Sequence, residues 1–435
     1  MVISMNKTIW SDIKTSSYSK LDNDINCEVL VIGGGITGIL ISHYLTEIGM
    51  DVVLVEMDKI GAKKTVKTTA SITALQDFSY YDLLKSKGLE NAKLYINSCT
   101  EAIEEYKKLT KEYDFDFEEV SSYKYYNDDN DNLNKEILAL DKMKYPYELV
   151  DKVSLPIEFD KAIEFKNQAQ MNPMKLLKEL SKGLKIYENT KIVKVKENYA
   201  YTENNTIKAN YIVISSGFPF LRFKGLYSLK MHQNKSYVIT TENTLKFKGN
   251  IISSKSSDLY FRDYKGSLII GGNDIKTGKK NNGFNDLIEF VDKHINKKID
   301  YKWINQDCTS LDDIPYIGRL SAFSENVFVS TGFNLWGMTS AMTSAQIIRD
   351  LICKNTNKFE EIFNPSRLYK IIPLMGNVTT AVINLIKINK RRCTHLGCSL
   401  VEMEDDDSFE CPCHGSKFHK NGKIIDGPAI NNLKK

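Results

Sequence analysis

The 435-residue sequence contains no run of roughly 18 uncharged apolar residues, so we expect no transmembrane helix. Its most apolar long segment, 371–388, is interrupted by polar residues such as Asn377 and Lys387, and we interpret it as a packed helix. Residues 1–26 are polar and lack the apolar core of a signal peptide, which favours a cytoplasmic protein. A net charge of only +4 gives no reason to expect a nucleic acid or an anionic membrane as partner.

The sequence has a single glycine-rich fingerprint for a dinucleotide, at 33–38, and no second one that would bind a nicotinamide cofactor. A short apolar run precedes this fingerprint, and a helical pattern follows it as far as Gly49. A second apolar run then ends on Glu56. Strand, glycine turn, helix, strand and acid in this order predict the βαβ unit that binds dinucleotides.

The chemistry of this unit assigns a role to each residue of the pattern. Gly33 permits the tight turn, and Gly35 lets the backbone approach a pyrophosphate. Gly38 lets the helix pack close to the strand, while the helix N-terminus attracts the phosphates. Glu56 is predicted to accept hydrogen bonds from the ribose hydroxyl groups.

Two other segments are expected near the same crevice. Segment 61–74 is rich in small hydroxyl residues, which would let its backbone approach a flat ring or a phosphate. Segment 327–340 predicts a strand, a glycine-containing loop and a helix start, and that helix N-terminus could stabilise negative charge on a reduced flavin. The alternatives are an ordinary Ser/Thr-rich loop and an ordinary connection between a strand and a helix.

A set of short strands predicts a second, β-rich domain. Segments 237–241, 259–263 and 268–272 have the composition of antiparallel strands joined by turns. Segment 206–216 instead resembles a later strand of the parallel sheet. We therefore predict an α/β protein with a Rossmann-like dinucleotide-binding domain and an inserted antiparallel β-sheet substrate domain.

Four of the eight cysteines are concentrated near the C-terminus, together with two histidines. Cys393 and His395 form one Cys-x-His pair, and Cys411 and His414 form one Cys-x-x-His pair. Two thiolates and two imidazoles suit a Rieske [2Fe–2S] centre, in which cysteines hold one iron and histidines the other. Zinc also accepts this donor set, but zinc fingers group their cysteines apart from their histidines. The mixed pairs favour the Rieske centre.

These motifs resemble two known families. From about residue 10 to 367 the chain resembles the FAD-dependent D-amino-acid-oxidase-like (DAO) superfamily, and from 391 to about 433 it resembles a Rieske domain, including a 427–429 segment similar to that family's proline loop. The combination is similar to DAO-type flavoproteins with a C-terminal Rieske domain. The resemblance implies FAD, a [2Fe–2S] cluster, and oxidation of amines or amino acids at the flavin.

The resemblance also implies particular residues. Those expected to contact FAD are Gly33, Gly35, Gly38, Glu56, Thr68, Thr69, Val193, Gly332, Gly337 and Met338. Those expected to hold the cluster are Cys393, His395, Cys411 and His414. Cys398 and Cys413 would form a disulfide that joins the two ligand loops.

We expect the following division of the chain into domains. The predicted segments are 26–85, 167–217 and 305–367 for the FAD-binding domain, 86–166 and 218–304 for the substrate domain, 368–390 for a linker helix, and 391–435 for a small all-β Rieske domain. The last segment is shorter than a complete Rieske domain, because the first strands expected there are missing.

The substrate side offers fewer signals. Arg262, on a predicted strand, could pair with a carboxylate in the bidentate manner, and Tyr260 lies on the same face, although both suit ordinary strand positions as well. We predict a flavin dehydrogenase that takes a hydride from a C–H group next to nitrogen and passes electrons through the cluster to an unknown acceptor. The alternative is an electron-transfer or redox-sensing protein that turns over no metabolite.

Overall fold

The computed structural model describes residues 7–221, 224–255, 258–367, 371–387 and 391–434. Within these ranges the strands, in chain order, are β1 Ile25–Ile32, β2 Val52–Val55, β3 Ser71–Ile72, β4 Glu118–Tyr126, β5 Glu148–Val150, β6 Lys161–Gln170, β7 Lys185–Tyr187, β8 Lys194–Lys196, β9 Tyr199–Tyr201, β10 Thr206–Gly217, β11 Met231–Glu242, β12 Asn250–Ser253, β13 Tyr260–Tyr264, β14 Ser267–Lys276, β15 Ile299–Ser310, β16 Tyr316–Arg319, β17 Val327–Thr331, β18 Val401–Met403, β19 Ser408–Glu410, β20 Lys417–His419 and β21 Ile424–Asp426.

The helices connect these strands and cover their faces. In chain order they are α1 Ile36–Glu47, α2 Lys64–Lys67, α3 Tyr80–Lys87, α4 Leu89–Leu109, α5 Asn130–Met143, α6 Pro173–Leu180, α7 Tyr227–Lys230, α8 Asn285–His294, α9 Gly337–Ile352, α10 Glu360–Phe363 and α11 Ile371–Ile386, with a 3₁₀ turn at Lys224–Leu226. The predicted βαβ unit is present as β1, α1 and β2.

The first sheet has the strand order β16-β17-β10-β1-β2-β7, with the β8–β9 hairpin attached to β10. Strands β17, β10, β1, β2 and β7 run parallel to one another, whereas β16 pairs antiparallel with β17 and β9 pairs antiparallel with β10. Both faces of this sheet are covered, because Val29 and Val31 of β1 pack into one hydrophobic cluster while Leu30 and Ile32 pack into another. A continuous apolar strand is the sequence pattern of such a doubly covered parallel sheet.

The second sheet has the order β15-β11-β14-β13-β12-β4-β6-β3, with β5 attached to β6. Its pairs are antiparallel except for β12 and β4, which run parallel, so it is a mixed sheet where a purely antiparallel one is predicted. The predicted α/β fold class is otherwise confirmed. Two predicted domain limits, at 167 and 305, fall inside β6 and β15, because both of these strands continue through the second sheet.

The C-terminal part forms a separate antiparallel sheet in the order β18-β19-β20-β21. Helix α11 precedes it within the predicted linker, of which 368–370 and 388–390 lie outside the described residues, as does residue 435. The helix is present, but the expectation that it is packed is wrong for much of its surface, because Met375, Val382 and Ile386 of α11 are exposed. Among the described helices, none combines the length and apolar character needed to cross a bilayer.

Candidate functional site

The glycine turn after β1 closes tightly against β10. Gly33 has a φ of +115°, and a Cβ there would lie 2.8 Å from the Ser215 carbonyl oxygen. A Cβ on Gly38 would lie only 1.9 Å from the Gly33 carbonyl oxygen, so the approach of α1 to the strand requires glycine. Gly35 instead borders a cavity: the nearest atom to an added Cβ would be Thr65 Oγ1 at 3.4 Å, so the Gly35 backbone is open to a ligand.

Glu56 follows β2 and is held by the glycine turn. Its Oε2 accepts a hydrogen bond from the Gly34 amide at 2.7 Å, and its Oε1 accepts one from the Asp58 amide at 2.9 Å. Burial raises the pKa of this carboxyl group, although both backbone hydrogen bonds oppose the shift. Each carboxylate oxygen can accept more than one hydrogen bond, so Glu56 retains capacity for ribose hydroxyl groups.

A cavity of about 1390 Å³, partly open to solvent, lies at the carboxyl ends of β1, β2, β10 and β17; we call it the nucleotide cavity. The predicted FAD contacts that line it are Gly33, Gly35, Glu56, Thr68, Gly332, Gly337 and Met338. Val193 does not line it, and its neighbours Lys191 and Ile192 do. The carboxyl edge of a parallel sheet is where such folds bind dinucleotides, and these residues fit FAD.

A second cavity of about 930 Å³, which we call the inner cavity, adjoins the first. Thr68, Asn305, Leu335 and Met338 line both cavities and mark the junction between them. Strands β4 and β11–β14 of the second sheet form its walls, and Thr69, Tyr260 and Arg262 also line it. The nucleotide cavity therefore leads into a chamber whose walls come from the predicted substrate domain.

Arg262 is committed to protein acceptors. Its Nε donates to Gln170 Oε1 at 3.0 Å, and its two Nη atoms donate to the carbonyl oxygens of Thr69 and, at 2.8 Å, Met171. Burial lowers the pKa of this guanidinium to about 9. These hydrogen bonds do not support the predicted pairing of Arg262 with a substrate carboxylate. Arg262 instead connects the second sheet to the loop that carries Thr69.

Two carboxylates in the inner cavity were not predicted. Asp77 Oδ1 accepts a hydrogen bond from Trp336 Nε1 at 2.6 Å, and Asp274 lies on β14. Burial raises the pKa of both groups, that of Asp274 to about 7. Tyr260 lines the same cavity, and burial raises the pKa of its phenol as well. No local motif joins Asp77 to Asp274, because only the folding of the second sheet against the 61–77 segment brings them to one chamber.

The predicted iron ligands lie in two loops of the C-terminal domain. Cys393, His395, Cys411 and His414 are all buried, and the two imidazole rings are 5.0 Å apart between centroids. The thiols of Cys393 and Cys411 interact with each other. Nδ1 of His414 is buried with no hydrogen-bond partner among the described residues, as expected of a nitrogen reserved for a metal. This donor set fits a Rieske [2Fe–2S] cluster.

The second pair of cysteines lies beside these ligands. Cys398 and Cys413 are free thiols, and their sulfur atoms lie within 4.8 Å of each other and of Cys411 Sγ. A disulfide bond is about 2.05 Å long, so the structure brings the two residues together without the bond. The disulfide stays a prediction.

The ligand loops pack against the rest of the chain. His414 Nε2 forms a hydrogen bond with the Ser228 carbonyl oxygen at 2.7 Å. Gln233 Nε2 donates to the His414 carbonyl oxygen at 2.7 Å, and Gln306 Nε2 donates to that of Gly415 at 2.6 Å. The ring of Phe218 lies edge-on to His414, with centroids 5.9 Å apart. The cluster loops are therefore docked on β11, β15 and the end of β10.

The proline-loop segment of the C-terminal domain reaches the nucleotide cavity itself. Asp426, Gly427, Ala429 and Ile430 line that cavity. Burial alone would raise the pKa of Asp426, but the charges of the neighbouring lysines, Lys64, Lys63 and Lys67, outweigh it and lower the pKa. The small domain thus forms one wall of the FAD site and carries a carboxylate that is held by lysines of the segment after β2.

A dinucleotide cavity that opens into a second chamber, with a Cys₂His₂ ligand set in the domain that borders it, is the arrangement of a flavin-dependent oxidoreductase joined to an iron–sulfur domain. The sequence comparisons agree with this class. The chain belongs to the DAO family of FAD-dependent oxidoreductases, whose model matches residues 28–351. Residues 377–435 match the Rieske [2Fe-2S] domain.

Individual relatives match all or most of the chain. The Bacillus subtilis protein YhfW, which is named as a Rieske 2Fe-2S iron–sulfur protein, is 31% identical over 98% of this chain and 97% of its own length. Gamma-glutamylputrescine oxidoreductase of Escherichia coli is 22% identical over 81% of this chain and 89% of its own. The structure of glycine oxidase from Geobacillus kaustophilus superposes with a TM-score of 0.68 at 17% identity, covering 79% of this chain and 100% of that one, and shows the shared fold.

Proposed function

We propose that this protein oxidises an amine or an amino-acid-like substrate at FAD and passes the electrons through its [2Fe–2S] cluster to a separate acceptor. When bound, FAD supplies a hydride acceptor and the cluster a carrier of single electrons. The names of the relatives, a glycine oxidase and a gamma-glutamylputrescine oxidoreductase, support a substrate with a C–H group next to nitrogen.

The chain's own residues would hold the two reactants in place. Glu56 and the turn at Gly33 and Gly35 would hold the adenosine and pyrophosphate parts of FAD in the nucleotide cavity. Thr68 and Met338, which line both cavities, would border the flavin ring where the two chambers meet. Helix α9 begins at Gly337 beside this junction, so its positive end would stabilise the negative charge of a reduced ring.

The observation that carries the proposal is the position of the C-terminal domain. Its 426–430 segment lines the nucleotide cavity, and its ligand His414 is hydrogen-bonded to Ser228 of the part that matches the DAO family. A cluster in a domain that borders the nucleotide cavity could receive electrons from FAD inside one polypeptide. Rieske potentials of roughly −150 to +300 mV suit acceptance from most flavins.

An anaerobic screen of primary amines, secondary amines and amino acids tests this function. We expect one class of compound to bleach the flavin absorbance and then to produce the EPR signal of a reduced Rieske cluster. Zinc in place of iron, or a cluster that stays oxidised beside a bleached flavin, would contradict the proposal. If no compound bleaches the flavin and a protein redox partner reduces it instead, the electron-transfer or redox-sensing alternative is correct. The cytoplasmic location and the domain limits predicted from the sequence stay predictions.

A further inference from the structure

The inner cavity contains buried oxygen atoms that accept no hydrogen bond. Asp274 Oδ1 and Asn305 Oδ1 are both buried without a partner among the described residues. Both side chains line the inner cavity, and Asn305 lies at its junction with the nucleotide cavity. Two further side chains that line the cavity have a buried atom without a partner among the described residues: Asn250 Nδ2, which is a donor, and the Ser122 hydroxyl, which can donate or accept. Buried polar atoms in folded proteins are nearly always hydrogen-bonded, so the two acceptors, one of them a carboxylate, indicate a ligand that donates hydrogen bonds to Asp274 and Asn305.

The charged groups that line this chamber also favour a ligand that donates hydrogen bonds and carries a positive charge. Asp77, Asp258 and Asp274 supply three carboxylates, and the nearby cation Arg262 already donates to Gln170, Thr69 and Met171. Two lysines also line the cavity: Lys255 Nζ donates to the Asn127 carbonyl oxygen at 3.3 Å, and burial lowers the pKa of Lys67, although the charge of Asp426 opposes this shift. Beside Asp274 and Asn305, a substrate carboxylate would meet acceptors and like charge, whereas a protonated amine would meet the groups that it needs.

The walls between these polar groups suit an alkyl chain. Tyr260, Phe261 and Trp336 line the cavity together with Val238 and Ile251. Aromatic rings bind both methylene groups and alkylammonium ions. Burial raises the pKa of Asp274 to about 7; the negative charge of Asp77 adds to this shift, and a hydrogen bond with Ser236 opposes it. A bound ammonium ion would stabilise the ionised carboxylate.

We propose that the inner cavity binds an aliphatic amine that carries a second nitrogen, and that Asp274 and Asn305 hold this second nitrogen in its protonated form. The cavity would discriminate against substrates that have a carboxylate in place of the second nitrogen. This inference rests on the proposed function and names its substrate class. One nitrogen would be anchored as the ammonium ion, and the other, unprotonated, would lie next to the C–H bond that is oxidised.

The matched probes are 1,4-diaminobutane and 4-aminobutanoate, which differ in one end group. Binding is measured with the complete protein after its cofactors are reduced by dithionite, so that no turnover follows, from the ligand-dependent rise of the thermal unfolding midpoint. We expect the diamine to bind at least about tenfold more tightly than the amino acid. Equal binding of the two, or tighter binding of 4-aminobutanoate, would overturn the proposal without any variant.

Substitution of Asp274 locates the site. The D274N variant is expected to lose about tenfold or more in affinity for the diamine, since a neutral amide replaces the carboxylate. D258N is the matched control, because Asp258 lines the same cavity but already accepts a hydrogen bond from Ser253 Oγ at 2.7 Å. Equal losses in both variants would contradict the assignment. Diamine binding without flavin reduction in the oxidised protein would refute the proposed oxidation alone, whereas oxidation of amino acids only would refute the diamine site alone.

Discussion

His414 Nε2 and the Ser228 carbonyl oxygen are 2.7 Å apart, and this hydrogen bond joins a predicted iron ligand to the short helix that leads into β11. With Nε2 donating to the carbonyl, Nδ1 is left for the metal, which is the division of roles found in metal-bound histidines. The contact orients the imidazole and is one of the points, with Gln233 and Gln306, where the cluster loops meet the part of the chain that matches the DAO family.

Replacement of His414 by cysteine should keep a cluster and lower its reduction potential. A thiolate would take the place of a neutral imidazole. Clusters held by cysteines alone, as in plant-type ferredoxins, have reduction potentials of about −400 mV, so this substitution should move the potential of the Rieske centre towards that value. A redox titration followed by EPR measures the change. His419→Cys is the control, because His419 is exposed at the end of β20. A raised potential in the His414→Cys variant would refute the ligand assignment.

The contact at Gly415 should be sensitive to a single methyl group. Gly415 has a φ of +72°, and a Cβ there would lie 2.8 Å from Gln233 Cβ and 2.9 Å from Gln306 Nε2. Gly415→Ala should destabilise the docked arrangement by about 1–3 kcal/mol and slow electron transfer from the flavin to the cluster. Urea unfolding and stopped-flow absorbance measure the two effects.

Gly266→Ala is the matched control for this prediction. Gly266 has a φ of +82° and nothing within 4 Å of an added Cβ. It therefore carries the backbone cost of a left-handed residue, about 1–2 kcal/mol, without the clash. The account requires normal electron transfer in Gly266→Ala and slower transfer in Gly415→Ala.

Gly38→Ala should abolish FAD binding. Its Cβ would lie 1.9 Å from the Gly33 carbonyl oxygen, so the turn and the start of α1 must move apart. Gly376→Ala is the control, because a Cβ there meets nothing within 4 Å and alanine favours the helix by about 1 kcal/mol. The flavin content of the purified protein, relative to its iron, is the measurement. Normal flavin content in Gly38→Ala would contradict the placement of FAD.

The charge of Asp426 should stabilise the protein in a pH-dependent manner. Burial opposes its ionisation, but Lys64, Lys63 and Lys67 lower its pKa below the ordinary 3.8. Because the lowered pKa belongs to the folded state, the stabilisation is present above pH of about 4 and is lost as the pH falls through the lowered value. The difference in unfolding free energy between the wild type and D426N should therefore shrink from pH 6 to pH 3.

D407N serves as the reference for that titration, because Asp407 is 83% exposed beside Lys420. Exposed pairs contribute little to stability, so D407N should follow the wild type at every pH. A wild-type minus D426N difference that stays constant between pH 6 and pH 3 would show that the lysines do not act on Asp426.

Local patterns predicted the βαβ unit and the Cys/His ligand loops because each is encoded by contiguous residues. Gly33, Gly38 and Glu56 fall within one short stretch, and so does each Cys/His pair. The inner cavity could not be predicted in this way. Asp77 and Asp274 meet only because β14 and the loop after β3 fold against one chamber, and the commitment of Arg262 depends on Thr69, Gln170 and Met171, which lie far from it in the chain.

The mixed second sheet has the same explanation. The parallel pairing of β4 with β12 joins segments more than a hundred residues apart, and neither strand carries a pattern that distinguishes a parallel from an antiparallel neighbour. The exposed face of α11 was missed for a related reason. Its apolar composition predicted burial, but burial depends on which surface the rest of the fold provides.

Light-driven reduction of the flavin by a sacrificial donor, followed by freeze-quench EPR at two protein concentrations, tests whether flavin and cluster exchange electrons within one chain. We expect the signal of the reduced cluster to grow as the flavin is reoxidised, at a rate that does not depend on protein concentration. A cluster that stays oxidised, or a rate that rises in proportion to concentration, would contradict this expectation.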